Sequence, residues 1–405
     1  MKQENYYKKE YLLEILRSSL ENNSIDDVEI IQEVNNNKKG QHYLSNLKNI
    51  SLEYTYSTSN DDSCNKNKNT VHLFIKQELS DETHKHMFRM DVFEIESKIL
   101  KCVLPQIELI VGKKIGPKYF YESKEHSEIF MEDLSKFGFK TKNRILGFTK
   151  DHMLMAIETL AKYHAGSIAL DEKQPGSLHR YRQSLLGEYT HPNFLNMIKY
   201  SLEYLGNAMH NWSDEKCRKI APKIEKLSKS VIENLKNNIN YAKDEFCVLN
   251  HGDCWISNIM FLENDLNEPL EVRLVDYQVP VWTSPALDLQ YFLSICPEFN
   301  IKYIFDDFFI EKYLHTLKET MEKIGSKRKP PTFYELKLSM MKRRSLALAG
   351  GLVFYPKIIV DTDDIGTIKN VLDNQAWNTK IYDNPKIIDK LVKLIPLIDT
   401  QGYLD

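Results

Sequence analysis

A chain of 405 residues with 42% hydrophobic and 27% charged side chains can bury a sizeable core, as one two-lobed unit or two small domains. Its 54 Lys and Arg against 57 Asp and Glu leave a formal net charge of −3, without the basic balance that nucleic acid or an anionic membrane surface demands. The opening Met1-Lys2-Gln3-Glu4-Asn5-Tyr6-Tyr7 has no apolar leader core, and no apolar run is long enough to cross a bilayer. A cytoplasmic location, a small-molecule partner and no obligate protein partner are therefore expected.

Near the start, Leu12, Ile15, Leu16 and Leu20 fall on one face of a helix. Strands are predicted near 27–34, 46–56 and 70–77, the first two joined by Asn35-Asn36-Asn37-Lys38-Lys39-Gly40, which implies an antiparallel sheet. Residues 57–69 are polar and low in complexity and read as a long hairpin tip. A helix near 87–103 and strands near 118–123 and 127–131 follow, and past Glu132 the pattern turns mostly helical. This places the boundary between an N-terminal lobe, 1–132, and a C-terminal lobe, 133–405.

Thr149 can cap a helix in which Leu154, Ile157, Ala161 and His164 share a face, His164 reading as a core histidine. Further helices are expected near 193–209, 216–239, 287–295, 300–324, 334–356 and 385–395. Strands first and helices later define an α+β fold. Six cysteines, at 64, 102, 217, 247, 254 and 296, form no C-x-x-C pair, so reduced thiols rather than a zinc site or disulfides are expected. Cys254 lies beside an aspartate but has no base at hand in the sequence, and is read as a packed side chain.

The chemistry concentrates between 246 and 278. Apolar runs 246–249, 259–262 and 270–275 read as buried strands, and around them stand His251-Gly252-Asp253, Asn258 and Asp276. Turn chemistry alone explains Gly and Asp in such places, but not an Asn spaced five residues on, nor a second Asp ending an apolar strand. Together they supply a base for a hydroxyl, Asp253, and two oxygen ligands for Mg2+, Asn258 and Asp276, arranged on a β-hairpin as a phosphotransferase needs. Lys76 ends the apolar run 71–75 and could present a fixed positive charge to ATP phosphates. Backbone amides from Gly40 to Tyr43 and the Ser45 hydroxyl could cradle a phosphate, although a single glycine is no G-x-G-x-x-G loop. His84-Lys85-His86 is read as a surface turn rather than a metal pair.

His251-Gly252-Asp253 with Asn258 and Asp276 resembles the catalytic segment of the aminoglycoside phosphotransferase and choline kinase branch of the protein-kinase-like fold. More closely, the chain resembles the insect ecdysteroid kinase-like family, also called CHK-kinase-like. The resemblance is carried by Gly40-Gln41-His42-Tyr43-Leu44-Ser45, Phe93-x-x-Glu96 before Val103-Leu104-Pro105, Met131-Glu132-Asp133-Leu134, Leu160-Ala161-Lys162-Tyr163-His164-Ala165 and Ser284-Pro285-Ala286-Leu287-Asp288-Leu289. His42 stands where that family usually has Asn, and Asn250 where Cys is common. The resemblance implies a bilobal fold, ATP and Mg2+ as cofactors, an ion pair between Lys76 and Glu96 with Glu94 as the competing partner, and a hinge at Met131 and Glu132 whose backbone meets adenine. It further implies that His251 and Asp288 brace the loop, and that the acceptor is an alcohol on a steroid or a lipophilic foreign compound. Aromatic candidates for the acceptor side are Tyr181, Phe194, Tyr200, Tyr204, Trp212, Tyr291, Phe292 and Phe354. Choline or aminoglycoside phosphorylation, with Asp361, Asp363 and Asp364 as acidic candidates, and a nucleotide- or hormone-binding pseudokinase are the competing expectations.

Overall fold

The computed structural model describes residues 7–35, 45–57, 66–78, 91–360 and 379–405. The chain divides into two compact units, one of residues 1–81 with 116–139 and one of 82–115 with 140–405.

In the first unit, α1 (Lys9–Ser19) buries Leu12, Ile15 and Leu16, the face expected from their spacing. The strands β1 (Ile25–Asn35), β2 (Ser45–Tyr56), β3 (Asn67–Glu78), β4 (Tyr119–Ser123) and β5 (Glu128–Glu132) form one antiparallel sheet in the order β1-β2-β3-β5-β4. Ile50 with Leu52, and Leu73 with Ile75, alternate along their strands and meet Leu12, Ile15, Leu16 and Phe130 in one apolar cluster. Burying each such side chain contributes about 1.5–3 kcal/mol, which holds α1 to the sheet. Pairing between β2 and β3 extends to Tyr56 and Asn67, so the hairpin connection is shorter than the polar composition of 57–69 suggests.

The second unit is helix-rich. A helical stretch starts as α2 (Val92–Lys98), widens into a π turn at Ile99–Val103 and continues as α3 (Leu104–Val111). The helix expected to stop near 103 thus runs on through the π turn, with Pro105 in the first turn of α3. After β6 (Lys140–Thr141) comes α4 (Lys150–Lys173), buried over most of its circumference as a core helix must be, and then α5 (Pro192–Met209) and α6 (Glu215–Asn237). The strands β7 (Val248–Asn250), β8 (Ile259–Glu263), β9 (Pro269–Leu274) and β10 (Val281–Thr283) make two small sheets, β6-β8-β9 and β10-β7.

Next come α7 (Ala286–Ile295), α8 (Asp306–Lys323), α9 (Phe333–Lys342) and α10 (Arg344–Leu348). A second π turn, Ala349–Phe354, leads into α11 (Tyr355–Ile358), and α12 (Pro385–Thr400) lies near the end. Two expected helices are corrected here. The one expected at 300–324 starts only at Asp306, after a turn in which Tyr303 takes φ 61°. The one expected at 334–356 breaks at Arg343 and then changes pitch. No helix among the described residues is long and apolar enough to cross a membrane.

Candidate active site

Asp253, Asn258 and Asp276 do not share one hairpin. The chain leaves β7 at Asn250, carries Asp253 in a loop, passes a short 3-10 turn (Ile256–Asn258), and only then enters β8. The hairpin is β8 with β9, Ile259 opposite Leu274, and Asp276 lies just past its end. The Val275 amide donates to the Asn258 carbonyl at 2.9 Å and ties the two segments together.

The loop can make its turn because Gly252 takes φ 84°, where a Cβ would stand 1.8 Å from the Val279 carbonyl oxygen. Asp288, buried in α7, holds the turn with both carboxylate oxygens: Oδ2 accepts from the His251 amide at 2.6 Å and Oδ1 from the Gly252 amide at 2.9 Å. His164 Nε2 reaches the same Oδ2 at 3.2 Å, and its Nδ1 meets the Tyr313 hydroxyl at 2.8 Å. Asn250 completes the frame. Its Nδ2 donates to the Val281 and Thr283 carbonyls, each at 3.1 Å, and its Oδ1 accepts from the Asp288 amide at 3.2 Å.

His251 joins the two segments that carry the acidic side chains. Its Nε2 donates to the Val275 carbonyl at 3.0 Å, and its Nδ1 accepts from the Asp253 amide at 3.3 Å. Those partners require the neutral Nε2–H tautomer, and burial accordingly lowers the imidazole pKa.

Asn258 Nδ2 donates to both the backbone oxygen and Oδ2 of Asp253, each at 3.0 Å. With its nitrogen so engaged, the oxygen of that amide is the atom it can offer a cation. Burial first, and then the charge of Asp276, push the Asp253 carboxyl up to about 7, while the hydrogen bond from Asn258 acts the other way. Asp276 takes φ 70°, an uncommon conformation for a residue with a Cβ. Cys254 is buried and its thiol pKa is raised well above the ordinary value, so the structure gives it no nucleophilic character.

Tyr291 lies in α7, three residues past Asp288. Phe354 packs on Tyr291, and Phe194 on Phe354. Phe292 and Trp212 are core, Tyr200 is 53% exposed, and Tyr204 donates to Asp383 at 2.5 Å. The Tyr181 carbonyl accepts from the Trp282 amide at 2.6 Å. Sequence reasoning singled out neither Asn250 nor Tyr313 as part of the frame; both bond to residues far away in the chain, and no local spacing signals them.

In α2, Glu96 is buried while Glu94 faces solvent and pairs with Lys98 at 2.5 Å. Of the residues expected to handle nucleotide in the first unit, Lys76 is buried on β3 opposite Leu47 and Ile129, and Ser45 opens β2 opposite Glu78. Met131 and Glu132 end β5, where the Glu132 amide donates to the Lys118 carbonyl at 2.8 Å and the Asp133 amide to the His72 carbonyl at 3.1 Å. The Asp133 carboxylate caps the following turn through the Ser135 amide at 3.0 Å, and Asn49 also donates to it. Gly40 and Tyr43, with His42, the His84-Lys85-His86 run, and Asp361, Asp363 and Asp364, lie outside the described residues.

An antiparallel five-stranded sheet followed by a helix-rich region is an α+β arrangement of the protein-kinase-like class. Residues 39–326 match the ecdysteroid kinase-like family, EcKL, and the chain belongs to that family of kinase-like phosphotransferases. No curated protein matches the chain.

Proposed function

We propose that the protein is an ATP-dependent O-kinase that transfers the γ-phosphoryl group to a hydroxyl of a steroid or other lipophilic alcohol. The observation that carries this reading is the Asp253 carboxylate held by the Asn258 amide beside the charge of Asp276. In this reading Asp253 accepts or orients the acceptor's hydroxyl proton, while Asn258 and Asp276 hold the metal. Their oxygens are the hard donors Mg2+ selects, and a divalent cation there would offset the repulsion that Asp276 exerts on Asp253. When bound, Mg2+ supplies charge neutralisation at the nucleotide phosphates. Phosphoryl transfer asks for little else beyond positioning, which the Asp288 frame provides by fixing the loop that bears Asp253.

Membership of the family supports, as part of this proposal, roles in nucleotide binding for Gly40, Tyr43, Ser45, Lys76, Glu96, Met131 and Glu132, with nucleotide binding assigned to residues 1–132 and acceptor binding to 133–405. Transfer of ³²P from ATP to a panel of ecdysone, other sterols, choline and kanamycin tests the reading. Asp253→Asn should lower turnover at least about a hundredfold while leaving Mg2+-ATP binding nearly intact. Labelling of the cationic acceptors alone would replace the steroid assignment by the choline-kinase-like one, and an Asp253→Asn enzyme within about tenfold of wild type would sink the catalytic assignment.

A further inference from the structure

A buried arginine stands at the break between α9 and α10. Arg343 is 1% exposed, and each N–H of its guanidinium has an acceptor. Nε donates to the Asn238 carbonyl at 2.8 Å, just past α6. Nη1 donates to Glu245 Oε1 at 2.7 Å and to Ser339 Oγ at 2.6 Å, and Nη2 donates to the Asn240 carbonyl at 2.8 Å and to Thr283 Oγ1 at 3.2 Å. The Ser339 hydroxyl donates in turn to Glu245 and meets Ser284 Oγ at 2.6 Å, while Gln290 Nε2 of α7 donates to the Met340 carbonyl at 2.6 Å.

These bonds close a circuit that includes the loop bearing Asp253. Glu245 lies just before β7, and β7 runs through Asn250 into that loop. Thr283 ends β10 opposite Val248, and Ser284 leads into α7, whose Asp288 accepts from the His251 and Gly252 amides. Both arms, β7 with its loop and β10 with α7, are therefore held at one end by Arg343 and meet again at Asp288. A sheet of two such short strands is marginal by itself, so the groups at its ends decide how it sits.

A buried ion pair often stabilises a fold no more than apolar side chains of similar volume would, because desolvation offsets the attraction. What the guanidinium adds is geometry: a planar fork whose donors point in fixed directions, here at four separate segments of the chain. We propose that Arg343 is a positioning residue for phosphoryl transfer, holding the two arms so that Asp288 meets the loop and the loop presents Asp253 to the acceptor. This rests on the kinase reading of Asp253 given above. Ser339, Met340 and Arg343 lie beyond residues 39–326, so the brace comes from outside the stretch that matches the family.

Two variants cut the brace without opening a large cavity. Arg343→Lys keeps a charge for Glu245 but loses the fork, and Thr283→Val removes the hydroxyl through which Arg343 reaches β10. Each should lower kcat about tenfold with KM for ATP near wild type, measured on whichever acceptor of the panel the wild-type protein labels best. A second arm needs no turnover: in amide hydrogen exchange, His251 and Gly252 should exchange about tenfold faster in both variants. Leu394→Ala, which removes an apolar side chain buried in α12, is the control for a general loss of stability, and there the two amides should stay within about twofold of wild type. If Arg343→Lys does not fold, Thr283→Val carries both comparisons. Absence of labelling of every acceptor by the wild-type protein would end the kinase reading, and the exchange rates would still decide whether Arg343 holds the loop. A wild-type kcat in Thr283→Val, unchanged exchange at His251 and Gly252, or an equal acceleration in Leu394→Ala overturns the positioning role.

Discussion

Two aspartates near the starts of their helices, Asp288 in α7 and Asp306 in α8, are almost completely buried, yet they are treated oppositely. Asp288 receives two backbone amides and a histidine nitrogen, so both its oxygens are engaged by donors. Asp306 has an oxygen with no hydrogen-bond partner, and burial pushes its carboxyl up to about 7. Its neighbour Lys302 is also buried, and its ammonium donates instead to the Ser294 and Ile295 carbonyls at the end of α7, over the Tyr355 ring. Burial alone therefore does not mark a site. What distinguishes the two places is that one carboxylate organises the loop bearing Asp253, whereas the other is held in the core against the cost of its own desolvation.

The largest effect expected from that contrast is on Asp288. Replacing it by Ala leaves the amides of His251 and Gly252 buried and unpaired, at about 1–3 kcal/mol each, and frees the loop. We expect Asp288→Ala to lose about 4 kcal/mol of stability in urea unfolding and to abolish phosphoryl transfer. A loss under about 1 kcal/mol would mean that the loop does not depend on this carboxylate. Gly252→Ala attacks the same turn from its backbone side. Positive φ costs roughly 1–2 kcal/mol for a residue with a Cβ, and the clash with the Val279 carbonyl adds to it. About 3 kcal/mol of destabilisation is expected, and a melting temperature equal to wild type would contradict the geometry.

The reach of sequence reasoning follows the range of the interactions. Asp253, Asn258 and Asp276 were legible because hydrogen bonds over a five-residue spacing and a strand pairing bring them together, and both leave a local pattern. The antiparallel pairing of the first three strands was legible for the same reason, since Ile50, Leu52, Leu73 and Ile75 alternate along neighbouring hairpin strands, whereas the place of β5 beside β3 leaves no local pattern. His164 and Asp288 each stood out in a short block, but the bond between them spans 124 residues and could not be read. The segment carrying Asp253 looked like part of a hairpin, because β7 is apolar like β8 and only its pairing with β10 reveals a separate sheet. The helix near 334–356 hid a change of pitch at Gly350 and Gly351, where seating on Ser294 and Tyr303 rather than periodicity decides the backbone.

The smallest effect tests Asp306, and its sign follows from linkage. In the unfolded chain an aspartate titrates near its ordinary value of 3.8, but in the folded protein Asp306 is raised to about 7. Between those values the folded state holds the extra proton, so the stability this group contributes is complete below about pH 4 and is lost as pH rises toward 7. Lys302 and Lys337 act to lower the Asp306 pKa and Asp307 to raise it, and desolvation outweighs them all. Lys302, lowered to about 7 by its own burial, is protonated in both states at lower pH and adds no slope there. Asp306→Asn removes the titration while keeping the shape. Compared with wild type, the variant should therefore gain on the order of 2 kcal/mol as pH rises from 4.5 to 6.5, seen as a flatter dependence of Tm on pH. Parallel Tm curves for the two proteins across that range would show that the Asp306 carboxyl is not held protonated by its surroundings, and the contrast with Asp288 would collapse.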